Sequence, residues 1–288
     1  MTIRTILVPV DGSKTAKPVV ECGLAIGRDF DAHVDILHVR PDPNETIPLL
    51  GEGMSVSMIE DMIDLANKEG VERTARGRHM FDNLVKKFSL PVKDAPEAAR
   101  ASAQWSEEVG RHDEVTARRG RLTDLIVVGR PTPSSDVSST MTLNAALFDS
   151  GRPVLVVPPD YAAVFGVNIA ISWNGSAESA RAVGSAMPLI SRAEKVTVLT
   201  AASDRTLVAR APELAAYLER RGSSPATRTF TPGNRQSIGA ALLAECAEAG
   251  VDLLVLGAYT HSRMRQLILG GVTRHVLEEA AIPLFMAH

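Results

Sequence analysis

Short apolar runs rich in branched residues recur along the chain without the alternation of a half-exposed strand. Such runs suit strands buried on both faces of a parallel sheet. They predict strands near 4–10, 33–40, 101–107, 124–129 and 153–158, then near 167–173, 195–201, 225–231, 252–257 and 283–287. Between them the apolar spacing lengthens to three and four. This predicts helices over Thr15–Arg28, with Thr15 as its cap, and over Ser57–Phe88, Glu178–Ile190, Pro212–Arg221, Arg235–Ala249 and Val272–Ala280. Alternating strands and helices make βαβ units with right-handed crossovers. Residues 41–56, rich in Pro and Gly, read as an inserted loop.

The pattern occurs twice. Ile6-Leu7-Val8-Pro9-Val10-Asp11-Gly12-Ser13 is similar to Ile169-Ala170-Ile171-Ser172-Trp173-Asn174-Gly175-Ser176. Asp124-Leu125-Ile126-Val127-Val128-Gly129 matches Asp252-Leu253-Leu254-Val255-Leu256-Gly257, and Gly151–Val157 matches Ala281–Ala287. The three matches keep their order, at offsets of 163, 128 and 130 residues. The first half therefore carries about 35 extra residues between its first two landmarks. The joint falls in Pro158-Pro159-Asp160-Tyr161-Ala162-Ala163, where prolines end a strand. The expected fold is α/β, two tandem doubly wound five-stranded parallel-sheet domains, over residues 1–160 and 164–288.

In such sheets ligands bind beyond the C-terminal ends of the strands, where the strand order reverses. Asp11-Gly12-Ser13 should there face Gly129, and Asn174-Gly175-Ser176 should face Gly257. A carboxylate or carboxamide at a strand end can bond ribose hydroxyls; equally, it can close an Asx-turn or cap the next helix. After Gly257 come Arg263 and Arg265, then Gly270-Gly271 opening a helical pattern. Helix N-terminal amides unobstructed by side chains form a phosphate site, and the arginines can neutralise its charge. A glycine-bearing loop with solvated arginines fits the same residues.

These features together resemble a tandem universal stress protein, on Val8–Ser13, Leu37-His38-Val39, the Asp-Leu-Ile-Val-Val-Gly strand and the Gly257–His275 stretch. The resemblance covers nearly the whole chain. It implies the adenine nucleotide α-hydrolase-like fold and, in ATP-binding members, the pattern Gly-x-x-Gly, nine residues, Gly-[Ser/Thr]. The spacing is kept as Gly257, Thr260, Gly270 and Gly271, but Thr260 stands for the second glycine and Gly271 for the Ser/Thr. The family's ribose-binding aspartate corresponds to Asp11 and to Asn174. The implied nucleotide site is therefore in the second half: Asn174, Gly257, Thr260, Arg263, Gly270, Gly271, Val272 and Thr273. The first half keeps Asp11, Val39 and Gly129 as a degenerate site. Arg130-Pro131-Thr132-Pro133 and Ser134–Thr140 follow Gly129 without a glycine, and the two prolines lack amide donors. No triphosphate is expected there.

Composition narrows the reading. Hydrophobic residues are 45% and charged residues 23% of 288, a globular balance. Net charge is −3 and aromatics are 4%, which argue against nucleic acid or anionic membrane as the main partner. No apolar run approaches the roughly 18 residues of a membrane span, and the apolar run before Asp11 is too short for a signal peptide. Cys22 and Cys246 read as buried reduced thiols. A cytoplasmic protein is expected. No P-loop, nucleophile elbow or zinc spacing is present. His38 reads as a satisfied core histidine, and His261, beside the glycine loop, as a candidate ligand contact. His112-Asp113-Glu114 reads as the start of an exposed helix, and Arg118-Arg119-Gly120-Arg121 as a solvated helix end. No catalytic residue and no metal are expected. The function implied is a non-enzymatic stress protein binding ATP or another adenine nucleotide weakly; the alternative is an interaction protein of the same fold without nucleotide. The apolar terminal strands Val154–Val157 and Pro283–Met286 suit an intramolecular pseudo-dimer of the halves, and the resemblance also allows a homodimer.

Overall fold

The computed structural model describes residues 2–13, 15–43, 55–94, 98–132, 137–161, 165–202, 205–258 and 271–288. The chain divides into two compact units, one formed by Arg4–Ser150 and the other holding Gly151–His288.

The first unit runs β1 (Thr5–Val10), α1 (Ala16–Asp29), β2 (His33–Arg40), α2 (Val56–Phe88), β3 (Ser102–Val109), α3 (His112–Gly120), β4 (Leu125–Gly129) and α4 (Val137–Asp149). Its strands lie in the order β3-β2-β1-β4, all parallel. β2 is buried along nearly its whole length, as a central strand covered on both faces must be. α1 lies close on the sheet because glycines face it. A Cβ on Gly23 would fall 2.6 Å from a Val8 methyl, and one on Gly27 would meet Val34.

The second unit begins with β5 (Val154–Val157), followed by β6 (Asn168–Ser172), α5 (Ala177–Ile190), β7 (Lys195–Ala201), α6 (Arg205–Glu219), β8 (Ala226–Phe230), α7 (Ile238–Glu248), β9 (Leu253–Gly257), α8 (Gly271–Glu279) and β10 (Leu284–Ala287). The order β10-β9-β6-β7-β8 is parallel and repeats the doubly wound order of the first unit with its fifth strand in place. β5 pairs antiparallel with β10, Leu284 opposite Val156 and Met286 opposite Val154. The fifth strand of the first repeat is thus counted with the second unit. Both strands are wholly buried, so each removes the other's apolar edge from water.

Local signals explain the remaining ends. Ser176 and Ser237 cap α5 and α7, accepting from the amides of Ser179 and Ala240, each at 3.1 Å. Thr15 is not the expected side-chain cap of α1: its backbone is already helical and its hydroxyl bonds Ser13 Oγ at 2.7 Å. The two cysteines are buried, and burial pushes both thiols up to about 12. Among the described residues, no helix is long and apolar enough to cross a membrane.

Candidate functional site

In the first unit β1 ends at Val10, and Asp11-Gly12 turn the chain. Gly12 has φ +73°, and a Cβ there would lie 2.7 Å from the Arg73 carbonyl oxygen. Glycine is required on both counts, and it lets the backbone of α2 rest directly on this turn. Asp11 Oδ1 accepts from Ser13 N at 2.9 Å, so the Asx-turn is formed.

His38 sits opposite Val10 in the register and is 2% exposed. Its Nδ1 lies 3.1 Å from the Val10 carbonyl, which can only accept, so Nδ1 carries the proton. Nε2 of the neutral ring is then a buried acceptor, and among the described residues it has no partner. The expectation of a fully satisfied core histidine is corrected to that extent. The ring stacks on Trp105, centroids 5.7 Å apart, and Trp105 is pressed in turn against Gly77 of α2. Burial holds the His38 imidazole below its usual pKa, against the opposing pull of Val10, Glu107 and Asp11.

A cavity of about 580 Å³ opens at these strand ends, its walls including Asp11, His38, Val39, Arg73, His112 and Met141. This volume lies in the range of small-molecule sites, roughly 300–1,000 Å³. His112 opens α3 and is half-buried, not on an exposed helix start. Burial, then the neighbouring His38, lower its pKa, while Asp11 and Asp113 oppose this. Asp113 is bound to Arg111 at 2.8 Å. At the other end of α3 Arg118 and Arg121 are exposed, as expected of a solvated helix end, whereas Arg119 is half-buried and tied in. Arg119 pairs with the buried Asp35 and with Glu108, and Arg118 with Glu108. A carboxylate as buried as Asp35 needs such a partner.

Of the degenerate first-half set, Asp11 and Val39 meet at this cavity; Gly129 instead packs near Val19 of α1 and is not among its walls. In the second unit β6 and β9 are neighbours with Ser172 opposite Leu256, which brings the Asn174 turn and Gly257 to one end of the sheet. A Cβ on Gly257 would lie 2.6 Å from Ser179 N and 2.8 Å from the Glu178 carbonyl carbon. Glycine is needed there for the first turn of α5 to pass. Asn174 is exposed, and its Oδ1 accepts from Ser176 N at 3.1 Å, a second Asx-turn. Gly271, Val272 and Thr273 form the first turn of α8, and around Gly271 a Cβ would meet nothing within 4 Å. Thr260, His261, Arg263 and Gly270 lie outside the described residues. Among the described residues no group of three His, Cys, Asp or Glu is placed to hold a metal.

Sequence reasoning missed His112 and Arg73 as cavity residues. Arg73 lies within the 35-residue excess of the first half, so no counterpart in the second half marked it. His112 follows β3, and the repeat carries no landmark there.

The family model for the universal stress protein family matches residues 2–132 and 233–288. No curated relative matches the sequence. Solved structures match over nearly the whole length. A universal stress protein from Archaeoglobus fulgidus is 15% identical with a TM-score of 0.70, over 99% of this chain and 96% of that one. A putative universal stress protein from Pseudomonas aeruginosa is 14% identical with a TM-score of 0.57, over 99% and 93%. The cytoplasmic domain of a prokaryotic cation chloride cotransporter is 12% identical with a TM-score of 0.52, over 99% and 96%. At these identities the structures speak to the fold alone. The family model spans well over half of the residues, and on that ground the chain belongs to the universal stress protein family.

Proposed function

We propose that this universal stress protein binds an adenine nucleotide weakly in its second unit and catalyses no reaction of its own. The observation that carries this reading is the common ending of β6 and β9, which sets Asn174 beside Gly257 at the strand-order reversal. The exposed Asn174 Nδ2 can donate to a ribose hydroxyl. The first-turn amides of α8 supply donors and the positive end of a helix dipole to phosphates. Weak binding follows from two substitutions. Asn174 lacks the charge of an aspartate, and Thr260 puts a Cβ where the family pattern has glycine. Each is expected to weaken binding about tenfold.

The test is calorimetry of ATP binding to the full chain and to the triple variant Asn174→Asp, Thr260→Gly, Gly271→Ser. The open space at Gly271 accommodates the serine. At least about a hundredfold gain is expected from restoring the two contacts together. One observation favours the second reading, an interaction protein without nucleotide: the Oδ1 atoms of Asp11 and Asn174 are both occupied in local turns. No gain in the triple variant puts that reading first.

A further inference from the structure

A contact surface is written into α2 of the first unit, independent of the nucleotide reading above. We propose that the outer side of α2 is an interface with a second copy of this chain, the two helices lying antiparallel about a twofold axis at their middle. Four observations carry this.

The first is an apolar stripe in water. Met58, Met62 and Leu65 follow one another at spacings of four and three, so they line one side of the helix. They are 50%, 41% and 60% exposed. That side is not the one facing the rest of the unit, where Ile59, Ile63, Ala66 and Gly70 are half-buried. An apolar stripe rimmed by charge marks a contact surface.

The second is the length of helix with little packing. No residue from Val56 to Arg76 is buried, a stretch of about six turns. Most helical stability in proteins comes from packing an apolar face. A partner helix along the stripe supplies it.

The third is charge. Val56–Glu72 carries Glu60, Asp61, Asp64, Glu69 and Glu72 against Lys68 alone. Arg73–Phe88 carries Arg73, Arg76, Arg78, Lys86 and Lys87 against Asp82 alone. The helix dipole does not account for this. Its effect is confined to the end turns, the first turn of α2 holds no acid, and the sign changes at the helix centre. The first half of one α2 complements the second half of another only when the two run antiparallel; a parallel pair sets like charge on like. The chain's own residues 44–54 suit the stripe less, because they carry Glu45 and Glu52 and no cation and would meet the acidic half.

The fourth is register. Beyond Leu65 the stripe runs on through Glu69, Glu72, Arg76, Met80 and Asn83. Turned end for end about a point between Glu72 and Arg73, it reads onto itself: Glu69 falls opposite Arg76, and Leu65 opposite Met80. A twofold axis makes each contact twice. Glu69 and Arg76 are both exposed. Arg76 lies 3.8 Å from its own Glu72, an exposed pair that a second carboxylate can join.

The experiment follows the full chain by sedimentation from about 1 to about 200 μM. A reversible passage from monomer to dimer is expected. Glu69→Arg and Arg76→Glu each set like charges opposite one another twice, and each should weaken the dimer at least about tenfold. An equimolar mixture of the two variants should recover it, because the two reversed positions then face each other and the two native ones do likewise. Leu65→Asn should also weaken the dimer about tenfold. All three positions are exposed, so the substitutions leave the fold intact, and thermal unfolding checks this. At dimer concentrations the Ile59–Gly70 amides should exchange more slowly than in the dilute monomer. The proposal is overturned by a monomer throughout the range, whether the stripe stays bare or is covered from within the chain. It is equally overturned by a dimer that both charge reversals leave unchanged, which forms through another face. Reversals whose mixture stays monomeric also overturn it, because the helices then do not pair in this sense.

Discussion

Gly12 and Gly257 stand at strand ends in the two units, and each is a glycine because backbone from a neighbouring helix fills the place of its Cβ. At Gly257 the crowding atoms belong to the first turn of α5, which is fixed by the Ser176 cap and cannot retreat cheaply. Gly257→Ala should therefore destabilise the second unit by about 1–3 kcal/mol, as overpacking does. Gly271→Ala, in open space, should change stability by no more than about 0.5 kcal/mol. Urea unfolding midpoints of the two variants check the contrast; equal midpoints would mean that Gly257 is not packed against α5. The same residues show how far a site is legible in sequence. The pairing of Asn174 with Gly257 follows from strand order alone. That Gly257 serves packing as well as any ligand does not follow, because its neighbours lie about 80 residues away in the chain. His38 illustrates the opposite limit. Its buried strand predicts burial, but only the register against Val10 shows that one ring nitrogen is satisfied and the other is not.

At the scale of elements, the central strands were legible because a doubly covered parallel sheet demands uninterrupted apolar runs, whereas the edge strands β3 and β8 are part-exposed and mix polar residues into theirs. The helices were legible where a cap or a long amphipathic stretch marked them. α2 extends over Val56–Phe88, one residue from the expected start. α4 was not expected at all: Val-Ser-Ser-Thr-Met-Thr-Leu-Asn is a poor helix former, and tertiary packing overrides it. α6 begins at Arg205, with Pro212 inside the helix and not at its first turn. α7 starts later than expected, at Ile238, because Ser237 is the cap and Arg235 has φ +66°. α2 is also uneven along its length. Gly77, Phe81, Leu84 and Val85 are buried, whereas no residue from Val56 to Arg76 is, and Met58, Met62 and Leu65 are exposed. Helical stability comes mostly from such packing. Amides between Ile59 and Gly70 should thus exchange with solvent at least about tenfold faster than those between Phe81 and Val85. Uniform protection along α2 would contradict this account.

At the scale of the whole molecule, acid should act unequally on the two units. His33, His38 and His112 all lie within Arg4–Ser150, and burial lowers the pKa of each. At His33 the partial compensation comes from Asp35 and Gln104. At His38 it comes first from the hydrogen bond to the Val10 carbonyl and then from Glu107 and Asp11, with Arg40 working with burial; at His112 it comes from Asp11 and Asp113, while His38 and then Arg73 work with burial. In the unfolded chain these imidazoles take up protons near the ordinary 6.5. In the folded unit they do so only at lower pH. Between the two values the unfolded state holds more protons, so stability rises with pH across that window. The contribution is complete above the unfolded value and is lost as pH falls through the folded ones. With two compact units the unfolding need not be a single step, and each transition is to be followed separately. Trp105 reports the first unit and Trp173 the second, one tryptophan being replaced by phenylalanine in each measurement. Urea titrations from about pH 7.5 down to about pH 5 should show the Trp105 midpoint falling steadily below about 6.5, with a smaller change at Trp173. A Trp105 midpoint indifferent to pH would mean that the three imidazoles are not held neutral by burial.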